Sequence, residues 1–185
     1  CAFGYLPNWL AAWPAPVQSQ VTYAFVELLT DTDHATIPAE LKHLMLRVSH
    51  IARGFPGLAA AAALSAYHVG PKTQTAAERI KDAYDAAVGR TPTTGSFDDA
   101  EAAALRLAWL SAQIPVITPK RFMDPLIAEY FPRELAELIN TCGIAGAIQR
   151  MSAIMKPDMD AKAQAFCAEN AIETDLLKLR YSACA

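Results

Sequence analysis

What this sequence lacks narrows its function early. It has no Lys/Arg cluster and a formal net charge of −3, so it carries no electrostatic footprint for nucleic acid. Its four cysteines, Cys1, Cys142, Cys167 and Cys184, include no C-x-x-C pair and no zinc-ligand spacing, which leaves neither a metal site nor a redox couple in the pattern. A disulfide framework is not expected in a domain large enough to bury its own core. Aromatics make up only 9% of the chain and charged residues 19%. Long hydrophobic runs are missing too. One long uncharged stretch, Gly54 to Pro71, contains Pro56, His68 and six alanines, and its transfer energy is too weak for a bilayer span. No G-x-S-x-G, P-loop or dinucleotide fingerprint occurs, and no internal repeat.

What is there in quantity is alanine, 37 of 185 residues, which lifts the hydrophobic share to 53%. That composition predicts one packed, soluble, helical domain whose small side chains permit close helix–helix approach. The chain opens at Cys1 without an initiator Met. It reads as a processed or trimmed product of unknown compartment, with an organellar or exported origin open and any targeting segment gone. A lipid-modified N-terminal cysteine has no second signal to support it.

Helical spacing recurs along the chain. Val21, Phe25, Leu28 and Leu29 mark a helix over Val17–Thr30, and Pro38 suits the first turn of the next, which runs to about Arg53. Gly54, Pro56 and Gly57 break it. An alanine helix follows to about His68, then one over Thr75–Val88 ended by Gly89. Ser96 is expected to cap the helix carrying Leu105, Leu107, Leu110 and Ile114. A short helix over Asp124–Tyr130, a long one from Arg133 to about Met155 and one or two terminal helices complete the reading. Only Val116-Ile117 looks strand-like. The expectation is all-α, roughly eight helices, with a domain over residues 1–157 and a helical extension over 158–185.

Chemistry is hard to find. Cys142 lies in an apolar helical run and reads as a small buried hydrophobe; Cys167 and Cys184 read as packing residues. His43, Arg47 and His50 fall at i, i+4 and i+7 on one helix face. With no carboxylate beside them to complete a ligand set, they read as a solvated or interface-facing polar stripe. Asp98/Asp99 and Glu134/Glu137 begin helices, where carboxylates suit the dipole. Phe3, Tyr5, Leu6, Trp9, Leu10 and Trp13 form an aromatic N-terminal patch that packs across the fold or into a partner. No metal or cofactor is expected.

The order of segments resembles a known family. Phe3-Gly4-Tyr5-Leu6-Pro7-Asn8-Trp9, the stretch Ile37 to Val48, and Phe97 to Met151 with Phe131-Pro132-Arg133-Glu134-Leu135-Ala136-Glu137-Leu138 and Gln149-Arg150 are similar to peroxidase-related proteins of the carboxymuconolactone decarboxylase and AhpD-like (alkylhydroperoxidase-like) family. The resemblance covers about residues 3 to 155 and implies that family's multi-helix fold. Its redox members carry a Glu, a C-x-x-C pair and a following His on two adjacent helices, which form a thiolate that reduces peroxide or a partner disulfide. Laid on this chain, those positions fall on His43, Phe55, Leu58 and near Ala62, and no cysteine occurs between Cys1 and Cys142. Phe, Leu and Ala cannot ionise or form a disulfide, so the thiol mechanism is absent.

The resemblance therefore implies a pseudoenzyme: a structural or accessory subunit in a larger assembly or a homo-oligomer, docking through its aromatic N-terminus and its terminal helices. The alternative is a cofactor-free, decarboxylase-like enzyme in which His43 moves a proton and Arg47 holds a carboxylate. A third reading is a small-molecule binder that kept the inter-helix pocket without the chemistry.

Overall fold

The computed structural model describes residues 3, 5–30, 32–73, 75–90, 96–116 and 118–181, the side chains of Val26 and Tyr181 excepted. They form ten helices and no strand: α1 (Asn8–Ala11), α2 (Ala15–Leu29), α3 (Ala39–Ala52), α4 (Pro56–Val69), α5 (Ala76–Val88), α6 (Asp99–Ser111), α7 (Lys120–Glu129), α8 (Pro132–Met155), α9 (Ala161–Glu169) and α10 (Leu176–Tyr181). The all-α expectation holds, with eight long helices and two short ones. No helix among the described residues is long and apolar enough to cross a membrane.

The hub is α3. Every residue from Leu41 to Ile51 is buried, because α4, α5, α6 and α8 pack around it. Its most extensive contact is with α4, whose Ala59 to Ala63 are each 5% exposed or less. Five methyl side chains let the two axes approach closely, and Ala costs the least side-chain entropy on entering a helix. The turn between them is chemically specified. Gly54 sits at φ 72°, where a Cβ would be strained, and Phe55 donates its backbone N–H to the His50 carbonyl at 2.9 Å. Pro56 then occupies the first turn of α4, where its missing N–H costs nothing.

Element boundaries differ from expectation in instructive places. Pro38 is the N-cap of α3 and not a first-turn residue. Asp98, not Ser96, caps α6: its carboxylate accepts from Glu101 N–H at 2.8 Å while Glu101 accepts from Asp98 N–H at 3.3 Å. Helix α7 begins at Lys120 and continues through Pro125, forgoing the one backbone bond that proline cannot donate. Val116 lies in no strand, and Ile117 lies outside the described residues. Arg79 of α5 fastens three elements, pairing with Glu40 of α3 at 3.2 Å and with Glu101 of α6, and stacking over Phe97 at 4.3 Å.

The C-terminal extension is continuous with this core. Ala163, Cys167 and Ile172 are buried in it, and α9 packs on α4. The aromatic N-terminus also turns inward. Phe3 and Trp9 are 4% and 8% exposed and meet edge-to-face at 5.7 Å, and Trp9 meets Phe25 of α2 at 5.8 Å. These rings are spent on internal packing, Phe3 also against His43 of α3, so that only Leu6 of that patch projects outward, at 57% exposure.

Candidate functional site

The start of α4 is where the resemblance places its thiols. Phe55 is the N-cap, half-buried; Leu58 follows one turn on, and Ala62 lies on the buried helix body. None of the three ionises or donates a proton. Phe55, Gly57, Leu58 and Ala61 form one wall of a cavity of about 210 Å³, closed by Trp9 of α1, Ser152 of α8 and Met159 in the segment after α8. Gly57 lets Met159 pack close, since a Cβ there would lie 3.3 Å from Met159 Cγ. The rim is tied by Asn8, whose backbone N–H donates to Asp160 at 3.2 Å and whose amide donates to the Asp158 carbonyl at 3.2 Å. Asn8, Asp158 and Asp160 make one edge of the lining polar, and Ser152 adds an Oγ that is buried with no hydrogen-bond partner among the described residues.

His43, Arg47 and His50 do not form the expected solvated stripe. Their exposures are 0%, 0% and 2%, because the helix carrying them is enclosed on all sides. The structure gives each a different neighbour. His43 stands edge-on to Phe3 at 5.5 Å between ring centres. Arg47 Nη2 donates to the Glu173 carbonyl at 2.7 Å, so it holds the segment leading into α10. Its Nε and Nη1 have no partner among the described residues, and burial lowers its pKa to about 10. His50 Nδ1 lies 3.1 Å from the Gln149 amide of α8, and burial lowers its pKa to about 3, so it is neutral at ordinary pH. None of the three lines the cavity at α4.

Sequence reasoning missed the strongest polar contact. Glu137 does not serve the start of its own helix. Glu134 does that, accepting from Phe131 N–H at 2.8 Å. Glu137 instead reaches across to the loop before α3. It accepts from Thr36 N–H at 2.9 Å, Thr36 Oγ1 at 2.7 Å and Ile37 N–H at 3.3 Å, and pairs with buried Lys42 at 3.0 Å. Burial alone would raise its pKa. The hydrogen bonds from Thr36, Lys42 and Ile37 outweigh that and hold it at about 2. No local pattern links Glu137 to Lys42; only the packing of α8 on α3 brings them together.

The thiols are equally quiet. Cys142 and Cys167 are free; burial pushes each pKa up to about 11, with Ser111 and Arg47 respectively pulling the other way. A thiol protonated at neutral pH is a poor nucleophile. Cys1 and Cys184 lie outside the described residues. Among the described residues no group of three His, Cys, Asp or Glu could hold a metal ion.

No family model matches this chain, and no curated protein does. Two solved structures share its fold. The debrominase Bmp8, as a cysteine-to-alanine variant in complex with 2,3,4-tribromopyrrole, aligns with a TM-score of 0.73 at 23% identity over 91% of this chain and 85% of that one. The apo form of Bmp8 aligns with a TM-score of 0.72 at 23% identity, over 91% and 86%. At that identity the likeness establishes the fold alone.

Proposed function

We propose that this chain is a non-catalytic, AhpD-like pseudoenzyme that serves as a structural or accessory subunit of a larger assembly. The observation that carries this reading is the chemistry at the head of α4: Phe55, Leu58 and Ala62 stand where the resemblance puts two thiols and a proton carrier. The solved neighbour bearing tribromopyrrole is a debrominase with a cysteine exchanged for alanine, whereas this chain has no cysteine in the first two-thirds of its length after Cys1. Large apolar side chains also point outward, Phe131 at 78%, Ile114 at 77%, Ile154 at 72% and Tyr23 at 70% exposure, and are open to cover by a partner. Native purification followed by identification of co-migrating chains tests the proposal. A defined complex is expected; a lone, monodisperse protein that turns over peroxide or a halogenated pyrrole would overturn it.

The decarboxylase-like alternative asks His43 and Arg47 to touch a substrate. Both are fully enclosed, and Arg47 already holds the Glu173 carbonyl, which weighs against it. The small-molecule reading keeps a specific footing in the cavity between Trp9, Phe55 and Leu58 with its lone Ser152 hydroxyl. Binding of 2,3,4-tribromopyrrole without debromination, lost on exchanging Gly57 for Leu, is the outcome that favours it.

A further inference from the structure

A second cleft, of about 280 Å³, opens on the other side of the α3–α4 turn, where the ends of α3 and α6 meet the middle of α8. Arg53, Arg150, Gln113, Gln149, Ile114 and Val116 line it, together with small residues, and no acidic residue does. Arg53 is half-buried, Arg150 is exposed, and neither makes an ion pair or hydrogen bond among the described residues. Both side-chain amides already hold protein partners. The Gln113 amide donates to the Trp109 carbonyl at 2.8 Å, and the Gln149 amide to Ser49 Oγ at 3.0 Å and toward His50. Any recognition of charge in this cleft falls to the two guanidinium groups.

The charge balance limits what they recognise. Helices α3 and α6 both end here, at Ala52 and Ser111, and each C-terminus contributes roughly half a negative charge. Set beside two guanidinium groups, these helix ends temper the positive field, which favours a monoanionic carboxylate over a dianionic phosphate. Arginine presents a planar fork suited to a carboxylate. At the lip, Ile114 and Val116 are 77% and 64% exposed, so an occupant that fills the cleft also covers apolar surface.

We propose that Arg53 and Arg150 form a carboxylate-binding cleft that seats an acidic side chain of a protein partner, with an adjoining apolar residue of that partner covering Ile114 and Val116. This names the partner chemistry for the accessory role and rests on that reading. The test is an NMR titration of the full chain with a capped Leu-Glu-Leu peptide, followed at the backbone amides of Gly146, Gln149 and Val116. Saturable shifts are expected, weakened at least tenfold when the peptide carries Gln for Glu, and by the double variant Arg53→Gln, Arg150→Gln. The single exposed variant Arg150→Gln should weaken binding with an unchanged thermal midpoint, which covers a folding failure of the pair. Absence of saturable shifts overturns the proposal. So does equal binding of the Gln peptide, or inorganic phosphate binding tighter than the Glu peptide. Co-migration of the unmodified chain in native extract judges the accessory role separately. A complex without peptide binding sinks the cleft alone, and peptide binding without a complex sinks the accessory role alone.

Discussion

Helices α3 and α4 lie side by side and are both 14 residues long, α3 buried almost throughout and α4 buried from Leu58 to Ala66, yet they are built from opposite chemistry. Helix α3 buries Lys42, His43, Arg47, Ser49 and His50; over the same length α4 buries one polar side chain, Ser65. A buried polar group costs free energy unless something answers it, so α3 is a hub whose polar atoms pin other segments. Lys42 answers Glu137, His50 and Ser49 answer Gln149, and Arg47 answers the chain at Glu173. Helix α4 contributes the complementary property, a surface flat enough to lie against that hub. One helix fastens and the other packs.

That division can be broken in graded steps. The largest effect belongs to Glu137→Ala, which strands the Lys42 ammonium in the interior and should cost about 3–5 kcal/mol by urea denaturation. A loss under about 1 kcal/mol would mean that Lys42 finds water and that the fastening role of α3 is overstated. The pH dependence comes next. His50 takes a proton near 6.5 when unfolded but only near 3 when folded, so between those values the unfolded state binds more protons and stability falls with pH. The slope from this one group is at most about 1.4 kcal/mol per pH unit. Glu137, held at about 2 against an ordinary 4.5, adds a second loss in that lower window by the same sign. His50→Leu should flatten the loss between pH 6.5 and 4.5 and leave the acid limb. An unchanged profile would show that His50 is solvated.

On the packing side, Ala59→Leu inserts bulk between Ile51 and Tyr84 and should cost about 1–3 kcal/mol, read as a lower thermal midpoint. The smallest change is expected from Arg47→Met. One bond to the Glu173 carbonyl is lost, but so is a buried charge with two unanswered nitrogens, and the net should lie within about 1 kcal/mol of zero. A larger loss would place Arg47 among the principal fasteners beside Lys42.

Much of the helical order was legible because it is local. Apolar positions marked α2, α3 and α6, and Gly54, Gly89 and Pro132 stand at or beside helix ends where their backbone properties predict. Two boundaries moved for equally local reasons: the reciprocal bonds of Asp98 and Glu101, and the helix of α7 persisting through Pro125. The absence of thiols from the head of α4 was equally plain, since a missing cysteine needs no coordinates. Polar burial was not legible. His43, Arg47 and His50 share a face on a helical wheel, and a wheel cannot say whether that face meets solvent or another helix. The cavity and the arginine cleft were invisible for the same reason: Trp9, Leu58, Ser152 and Met159 in one, and Arg53, Ile114 and Arg150 in the other, come from segments far apart in the chain.

By itself, then, the order of side chains determined an all-helical, alanine-rich domain with no thiol pair between its first and second cysteines. Helix periodicity and the identity of a single residue are properties of short stretches. Which polar groups are enclosed, what answers them and where space remains were decided only by tertiary packing. Those depend on Glu137, Gln149 and Glu173 arriving at α3 from helices and turns that no neighbour in the sequence specifies.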